Sequence, residues 1–63
     1  MKLNYDKQAD AAYLYIGGEG GRVSKTVTAT ESINLDFDSS GRLVGIEITD
    51  ASRILPAAAL KKA

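Results

Sequence analysis

The residues best suited to chemistry are the acids between positions 36 and 47. The stretch DFDSSGRLVGIE fits the calcium-loop expression D-x-D-x-S-G-x5-E, whose ligand positions fall on Asp36, Asp38, Ser40 and Glu47. Oxygen donors at this spacing suit a hard divalent cation. A calcium loop of this type lies between amphipathic helices, whereas these flanks alternate between apolar and polar residues as strands do. We therefore interpret the stretch as an acidic β-hairpin and assign no metal, with a weak surface cation site at these four residues as the alternative.

Other catalytic groups are scarce. The chain has no cysteine and no histidine, which excludes thiol nucleophiles, Cys-ligated zinc, iron–sulfur clusters, imidazole proton shuttles and serine–histidine triads. A carboxylate pair working as acid and base needs one member in an apolar pocket. The alternation instead places these acids on a face that is open to water. We predict that the protein is not an enzyme, has no catalytic residues and binds no cofactor.

A glycine-rich stretch, GGEGG at positions 17–21, is the remaining motif that can bind a ligand. A phosphate cradle requires a helix directly after it, with backbone N–H groups aimed at the anion. The residues that follow from Val23 are β-branched and alternating, which is typical of a strand. Because glycine adopts positive φ without steric cost, we predict a flexible hairpin loop here.

Charge and hydropathy limit the partners and the compartment. Eight Lys plus Arg residues balance eight Asp plus Glu residues, and the basic residues are scattered, which argues against nucleic acid as a partner. No apolar run reaches the roughly 18–20 residues of a membrane span. The N-terminus lacks the order of a signal peptide. We predict a cytoplasmic protein that binds neither nucleic acid nor membrane.

The elements that position these residues follow from the periodicity. Alternation predicts strands at about 2–6, 12–17, 23–29, 33–37 and 43–49, and Pro56 predicts the first turn of a helix at about 56–62. Asp50 or Ser52 can cap a short turn before that helix. Gly45 inside a strand indicates a bulge or the close approach of another backbone. The predicted fold class is mainly β, a small α+β domain over residues 1–63: one antiparallel sheet of about five strands, as hairpins or a meander, with a short C-terminal helix.

The size of the core favours association. A domain of this length buries only about 60% of the surface that its unfolded chain exposes. Nine of its hydrophobic residues are alanines, which have little surface to bury. A second copy or another protein covering the apolar face would stabilise the fold. We expect a homo-oligomer, with a dimer favoured, or a complex with a small protein partner, and the interface candidates are Tyr13, Tyr15, Ile54 and Leu55.

Two segments resemble the motifs of the bacterial and archaeal DUF2283 family. The opening NYDKQADAAYLYI resembles Y-D-x-x-A-D-A-x-Y-I, with matches at Tyr5, Asp6, Ala9, Asp10, Ala11 and Tyr13. The closing INLDFDSSGRLVGIEITDASRIL resembles D-x-D-x-x-G-x-L-V-G-I-E-I-x-x-A-S, with matches at Asp36, Asp38, Gly41, Leu43 to Ile48, Ala51 and Ser52. Ala12, Leu14, the glycine-rich loop and the alanine-rich tail depart from the pattern.

The family has no known function and supplies no catalytic residues. Some members resemble the antitoxin half of toxin–antitoxin pairs by the company that their genes keep, so the resemblance implies a small toxin as one possible kind of partner. We predict a non-enzymatic module for protein interaction or self-association, antitoxin-like by this resemblance. The alternative function is weak divalent-cation binding by the acidic hairpin.

Overall fold

The computed structural model describes all 63 residues. Its elements in chain order are β1 (Lys2–Asp6), β2 (Ala11–Tyr15), β3 (Lys25–Thr30), β4 (Ile33–Phe37), β5 (Leu43–Thr49), α1 (Ala51–Ile54) and α2 (Ala57–Lys61). The five strands form one antiparallel sheet, so the predicted fold class is confirmed. The tail holds two short helices where one was predicted. Neither helix is long and apolar enough to cross a membrane.

Three strands have the predicted bounds, namely β1, β4 and β5. The other two strands are displaced by two residues or fewer. β2 runs from residue 11 to 15 instead of 12 to 17, and β3 runs from 25 to 30 instead of 23 to 29. The two-residue differences, at the end of β2 and the start of β3, fall beside the glycine-rich stretch, where the chain leaves the sheet.

The order of the strands is β1-β2-β5-β4-β3, which places the last strand between β2 and β4. Residues 16–24 therefore cross the ends of β5 and β4, and the prediction of a hairpin loop at positions 17–21 is wrong. Ile16 N–H donates to the Val44 carbonyl at 3.0 Å and Ser24 N–H donates to the Phe37 carbonyl at 2.7 Å, which ties both ends of the crossover to the sheet. The glycines allow backbone conformations that other residues rarely adopt, such as the φ of 79° at Gly17. Their number carries no information about which strands pair.

The register sorts the side chains onto two faces. Cross-strand partners such as Leu3 and Leu14, or Leu35 and Ile46, share one face, which we call the apolar face. The other face, the polar face, carries pairs such as Tyr13 with Glu47 and Thr26 with Asp36. The period-two alternation of the strands dictates this division.

The core lies at one side of the apolar face. Ala12, Ile48 and Ala51 are buried there. Leu3, Tyr5, Ile46, Leu55 and Leu60 pack against these three residues. Leu60 belongs to α2 and Leu55 follows α1, so the helical tail docks on its own chain and covers this part of the sheet.

The remainder of the apolar face lacks such cover. Val27 of β3 and Ile33, Leu35 and Phe37 of β4 lie outside the core cluster, and we call these four residues the open half. Val27 is 39% exposed and every residue of β3 is exposed, while Ile33, Leu35 and Phe37 of β4 are half-buried. No large side chain in the chain is fully buried.

Candidate functional site

The centre of the polar face is a buried carboxylate with two hydroxyl donors. Tyr13 Oη on β2 donates to Asp36 Oδ2 at 2.6 Å, and Thr26 Oγ1 on β3 donates to Asp36 Oδ1 at 2.6 Å. Asp36 is only 9% exposed, so the prediction that this face leaves its acids open to water is wrong at Asp36. Both carboxylate oxygens have a partner, as a buried charge requires.

Gly45 makes this arrangement possible. It lies on β5 opposite both Tyr15 and Asp36, and its missing side chain leaves the space that the Tyr13 ring and hydroxyl occupy. The predicted bulge is present as a register shift between Asp36 and Phe37. The close approach comes from a side chain, whereas the sequence indicated a backbone.

The protonation of Tyr13 follows from this environment. Burial raises the pKa of Tyr13 to about 12, and the hydrogen bond to Asp36 adds to the effect. At neutral pH the hydroxyl is therefore a proton donor to Asp36. This geometry stabilises the sheet and leaves Tyr13 without the properties of a general base.

A second hydrogen-bonded chain runs along the same face. Thr28 Oγ1 donates to Asn34 Oδ1 at 2.8 Å, and Asn34 Nδ2 donates to Glu47 Oε1 at 2.9 Å. Glu47 and Asp36 thus share a face but are held by different partners.

The acidic stretch is the hairpin that the alternation predicts, since β4 and β5 pair across it. Asp38 Oδ1 accepts hydrogen bonds from Arg42 N–H at 2.9 Å, Ser40 N–H at 2.9 Å and Ser40 Oγ at 2.8 Å. The backbone bond from Arg42, followed by those from Ser40, holds the pKa of Asp38 below its usual value. Nowhere in the chain do three or more acidic side chains gather as metal ligands. Cation binding by Asp36, Asp38, Ser40 and Glu47 stays a prediction.

The four interface candidates lie on different surfaces. Tyr13 and Tyr15 are half-buried on the polar face, with ring centroids 4.7 Å apart at an angle of 60°. Ile54 is 36% exposed on α1, and Leu55 packs in the core. Their role in an interface stays a prediction.

A contact that the sequence did not indicate joins the β1–β2 turn to α1. Asp10 Oδ1 accepts from Tyr5 Oη at 2.6 Å and from Ser52 N–H at 2.9 Å, and Asp10 Oδ2 accepts from Ser52 Oγ at 2.7 Å. These bonds, Tyr5 first and then Ser52, lower the pKa of Asp10. Asp50 takes the N-cap position of α1 with φ 51° and makes no side-chain cap bond, so Asp10 caps this helix from the β1–β2 turn. No local signal predicts a cap that is supplied from the other end of the sequence.

A groove lies at the edge of the open half, beside the β4–β5 turn. Its volume is about 430 Å³, and its apolar lining comes from Val27 and Phe37. Lys25, Asp38 and Ser39 supply polar lining. The sequence carries no local sign of this groove, because the groove forms between β3 and the turn that follows β4.

The fold and these contacts define a class of protein: a small antiparallel-sheet domain whose C-terminal helices are tied to its first hairpin by an aspartate. The chain belongs to the DUF2283 family, described as "Protein of unknown function (DUF2283)", whose model matches residues 2–52. The resemblance of the two motifs is thereby confirmed.

One relative extends the comparison. The chain is 39% identical over 54 residues to "Uncharacterized protein MJ0789" of Methanocaldococcus jannaschii. The match covers 86% of this chain and 44% of that protein, so the chain spans less than half the length of this relative. No solved structure gives a significant match.

Proposed function

We propose that this protein is a non-enzymatic interaction module that associates with a second copy through the open half of its apolar face. The observation that carries the proposal is the partial cover of the sheet. The helices cover the side around Ala12 and Ile48, while Val27, Leu35 and Phe37 remain outside the core cluster. Apolar surface on both sides of an interface is stabilised when water is removed from it.

The exposed area supports association. The chain exposes 4487 Å². A compact monomer of its 6.7 kDa mass is expected to expose about 3,900 Å². The difference of about 600 Å² approaches the roughly 800 Å² that each partner buries in a stable interface. A dimer would therefore bring the buried fraction to that of an ordinary small domain.

The polar face supports a non-catalytic role. The buried carboxylate of Asp36 has a donor on each oxygen, and Tyr13 keeps its proton at neutral pH. Glu47 is held by Asn34. These groups stabilise the sheet, and an acid–base pair in an enclosed pocket is not among them.

The decisive experiment is the mass in solution of matched variants. Light scattering over a wide range of concentrations should give twice the chain mass for the wild-type protein and the chain mass for Val27→Lys. Val27 is on an edge strand and 39% exposed, so a lysine there is tolerated by the fold but not by an apolar interface. Thr28→Lys is the control, since it places the same charge one residue further on, on the polar face.

The outcomes separate the possible surfaces. A wild-type protein that is monomeric at all concentrations would overturn self-association, and a different partner such as the small toxin implied by the resemblance would then have to cover the open half. Loss of the dimer in Tyr15→Lys but not in Val27→Lys would place the interface on the polar face, as the sequence analysis predicted for the tyrosines.

A further inference from the structure

We propose that two copies dock about a two-fold axis at the groove beside the β4–β5 turn, so that Lys25 of each copy pairs with the partner's Asp38. The inference rests on the self-association proposed above and adds the contacts that orient it. A two-fold interface brings the same patch of both copies together, so the patch must be complementary to itself.

The apolar groups at the groove satisfy this condition. Val27 and Phe37 give the groove its apolar lining. Val23, which precedes the lining residues Ser24 and Lys25, is 50% exposed, so a second apolar side chain near the groove is in contact with water. When two such surfaces meet, the apolar side chain beside the groove of each copy can enter the groove of the other copy.

The charges at the groove are also complementary to themselves across a two-fold axis. Lys25 and Asp38 both line the groove. The ion pairs of the structure join Lys2 to Glu19 and Arg53 to Asp50, so neither groove charge has an opposite charge of its own chain within ion-pair distance. The Arg42 charge acts on Asp38 from further away. The hydrogen bonds that hold Asp38 all fall on Oδ1, and Oδ2 makes none. Oδ2 is therefore available to an ammonium group from outside.

Because the groove carries one positive and one negative group, it suits a second copy of the chain better than a partner of a single charge. An acidic partner would leave Asp38 facing a like charge, and a basic partner would do the same at Lys25. A second copy rotated about a two-fold axis pairs both groups at once, in two identical contacts. The neutral net charge of the chain removes long-range repulsion between the copies.

Cysteine cross-linking tests this geometry directly, because the natural chain has no cysteine. Lys25→Cys and Ser39→Cys are made in separate chains, one of them tagged, and then mixed and treated with a bis-maleimide reagent long enough to span a lysine–aspartate ion pair. Ser39 is exposed, lies next to Asp38 and lines the groove. The mixture should form a cross-linked heterodimer, because the proposed ion pair holds Lys25 of one copy and Ser39 of the other within the reach of this reagent. Thr28→Cys mixed with Ser39→Cys is the control and should form none.

Charge reversal gives a second, independent measurement. Lys25→Glu places like charges at both contacts and should weaken the dimer about tenfold at low salt. Added salt should weaken the wild-type dimer by screening attraction and strengthen the Lys25→Glu dimer by screening repulsion. Lys7→Glu makes the same change of charge in the β1–β2 turn and should leave the dissociation constant unchanged.

Failure of this inference can be told from failure of the proposed function. A dimer by light scattering that gives no Lys25–Ser39 cross-link and is indifferent to Lys25→Glu would overturn this docking while self-association stands. A wild-type monomer would overturn both. The heterodimeric cross-link together with opposite salt responses would support the docking.

Discussion

At the scale of the residue, the polar face of the sheet depends on Gly45, which has no side chain. Tyr13 reaches Asp36 across β5 because Gly45 leaves the intervening space free. The same contact buries Asp36 and gives it a second hydroxyl donor besides Thr26. One glycine thus allows a charged residue to lie in the middle of a five-stranded sheet.

Gly45→Ala should lower the free energy of unfolding by about 1–3 kcal/mol, the range for overpacking. A Cβ at this position would overlap the Tyr13 hydroxyl and ring, so the tyrosine must move and release Asp36. Chemical denaturation measures the change. Gly20→Ala is the matched control, because a Cβ there meets nothing within 4 Å. In a Tyr13→Ala background the cost of Gly45→Ala should largely disappear, and an undiminished cost would contradict this explanation.

The raised pKa of Tyr13 predicts a loss of stability in alkali. The pKa is about 12 in the folded protein against 10.0 ordinarily, so between these values the unfolded chain ionises and the folded chain does not. The contribution of Tyr13 to the unfolding free energy should therefore be constant below pH 10.0 and fall as the pH rises towards about 12. The hydrogen bond to Asp10 raises the pKa of Tyr5 and acts in the same direction.

Denaturation curves at a series of alkaline pH values test this, with Tyr13→Phe as the comparison. The variant is expected to be less stable at neutral pH, since Asp36 loses a donor, but to lose less stability on going to high pH. An equal alkaline loss in both proteins would show that Tyr13 does not cause it.

At the scale of the element, Asp10 holds the helical tail to the first hairpin. Its carboxylate receives the backbone N–H and the hydroxyl of Ser52, and its backbone carbonyl receives Ala51 N–H at 2.9 Å. α1 has only four residues and cannot persist alone in water. The helix therefore owes its position to this connection and to the packing of Ala51 and Leu55.

Asp10→Asn and Ser52→Ala should each destabilise the protein, and the double variant should cost less than the two single changes together, because both remove the same contact. Asparagine is chosen since it tolerates the φ of 51° at this position. Hydrogen exchange should show faster opening of the Ser52 amide. Asp6→Asn, which alters only bonds within the β1–β2 turn, should leave that amide protected. Additive costs would mean that the two residues act separately.

The elements were more predictable than their arrangement. Alternation locates β4 and β5 because Ile33, Leu35 and Ile46 recur at period two, and this pattern is local. The position of β5 beside β2, the burial of Asp36 and the cap from Asp10 depend on pairs of residues far apart in the sequence, about which local periodicity is silent. Gly45 was the one local sign of the polar cluster, and it indicated a close approach without identifying Tyr13.

At the scale of the whole molecule, the chain is a thin plate. Its extents are 33 × 23 × 17 Å and its radius of gyration is 11.5 Å. A compact domain of this length is expected to have a radius of about 10.6 Å. A single sheet whose helices pack at one side of its apolar face has this shape. The proposed dimer places the second copy over the apolar side of β3 and β4. The experiment on Val27→Lys therefore tests whether a second copy packs on this part of the sheet.

The crossover at residues 16–24 also affects how fast the five-stranded sheet can fold. The β1–β2 hairpin and the β3–β4–β5 meander are built from neighbours in the sequence and can form independently. The seam between β2 and β5 joins the strand residues that are furthest apart along the chain. Closing that long loop costs entropy before any contact compensates for it, so we expect pairing of β2 with β5 to limit the folding rate. A shorter or stiffer glycine-rich segment that still spans the crossover should make the chain fold faster. The entropy cost of closing the loop would fall, while the native contacts would be unchanged.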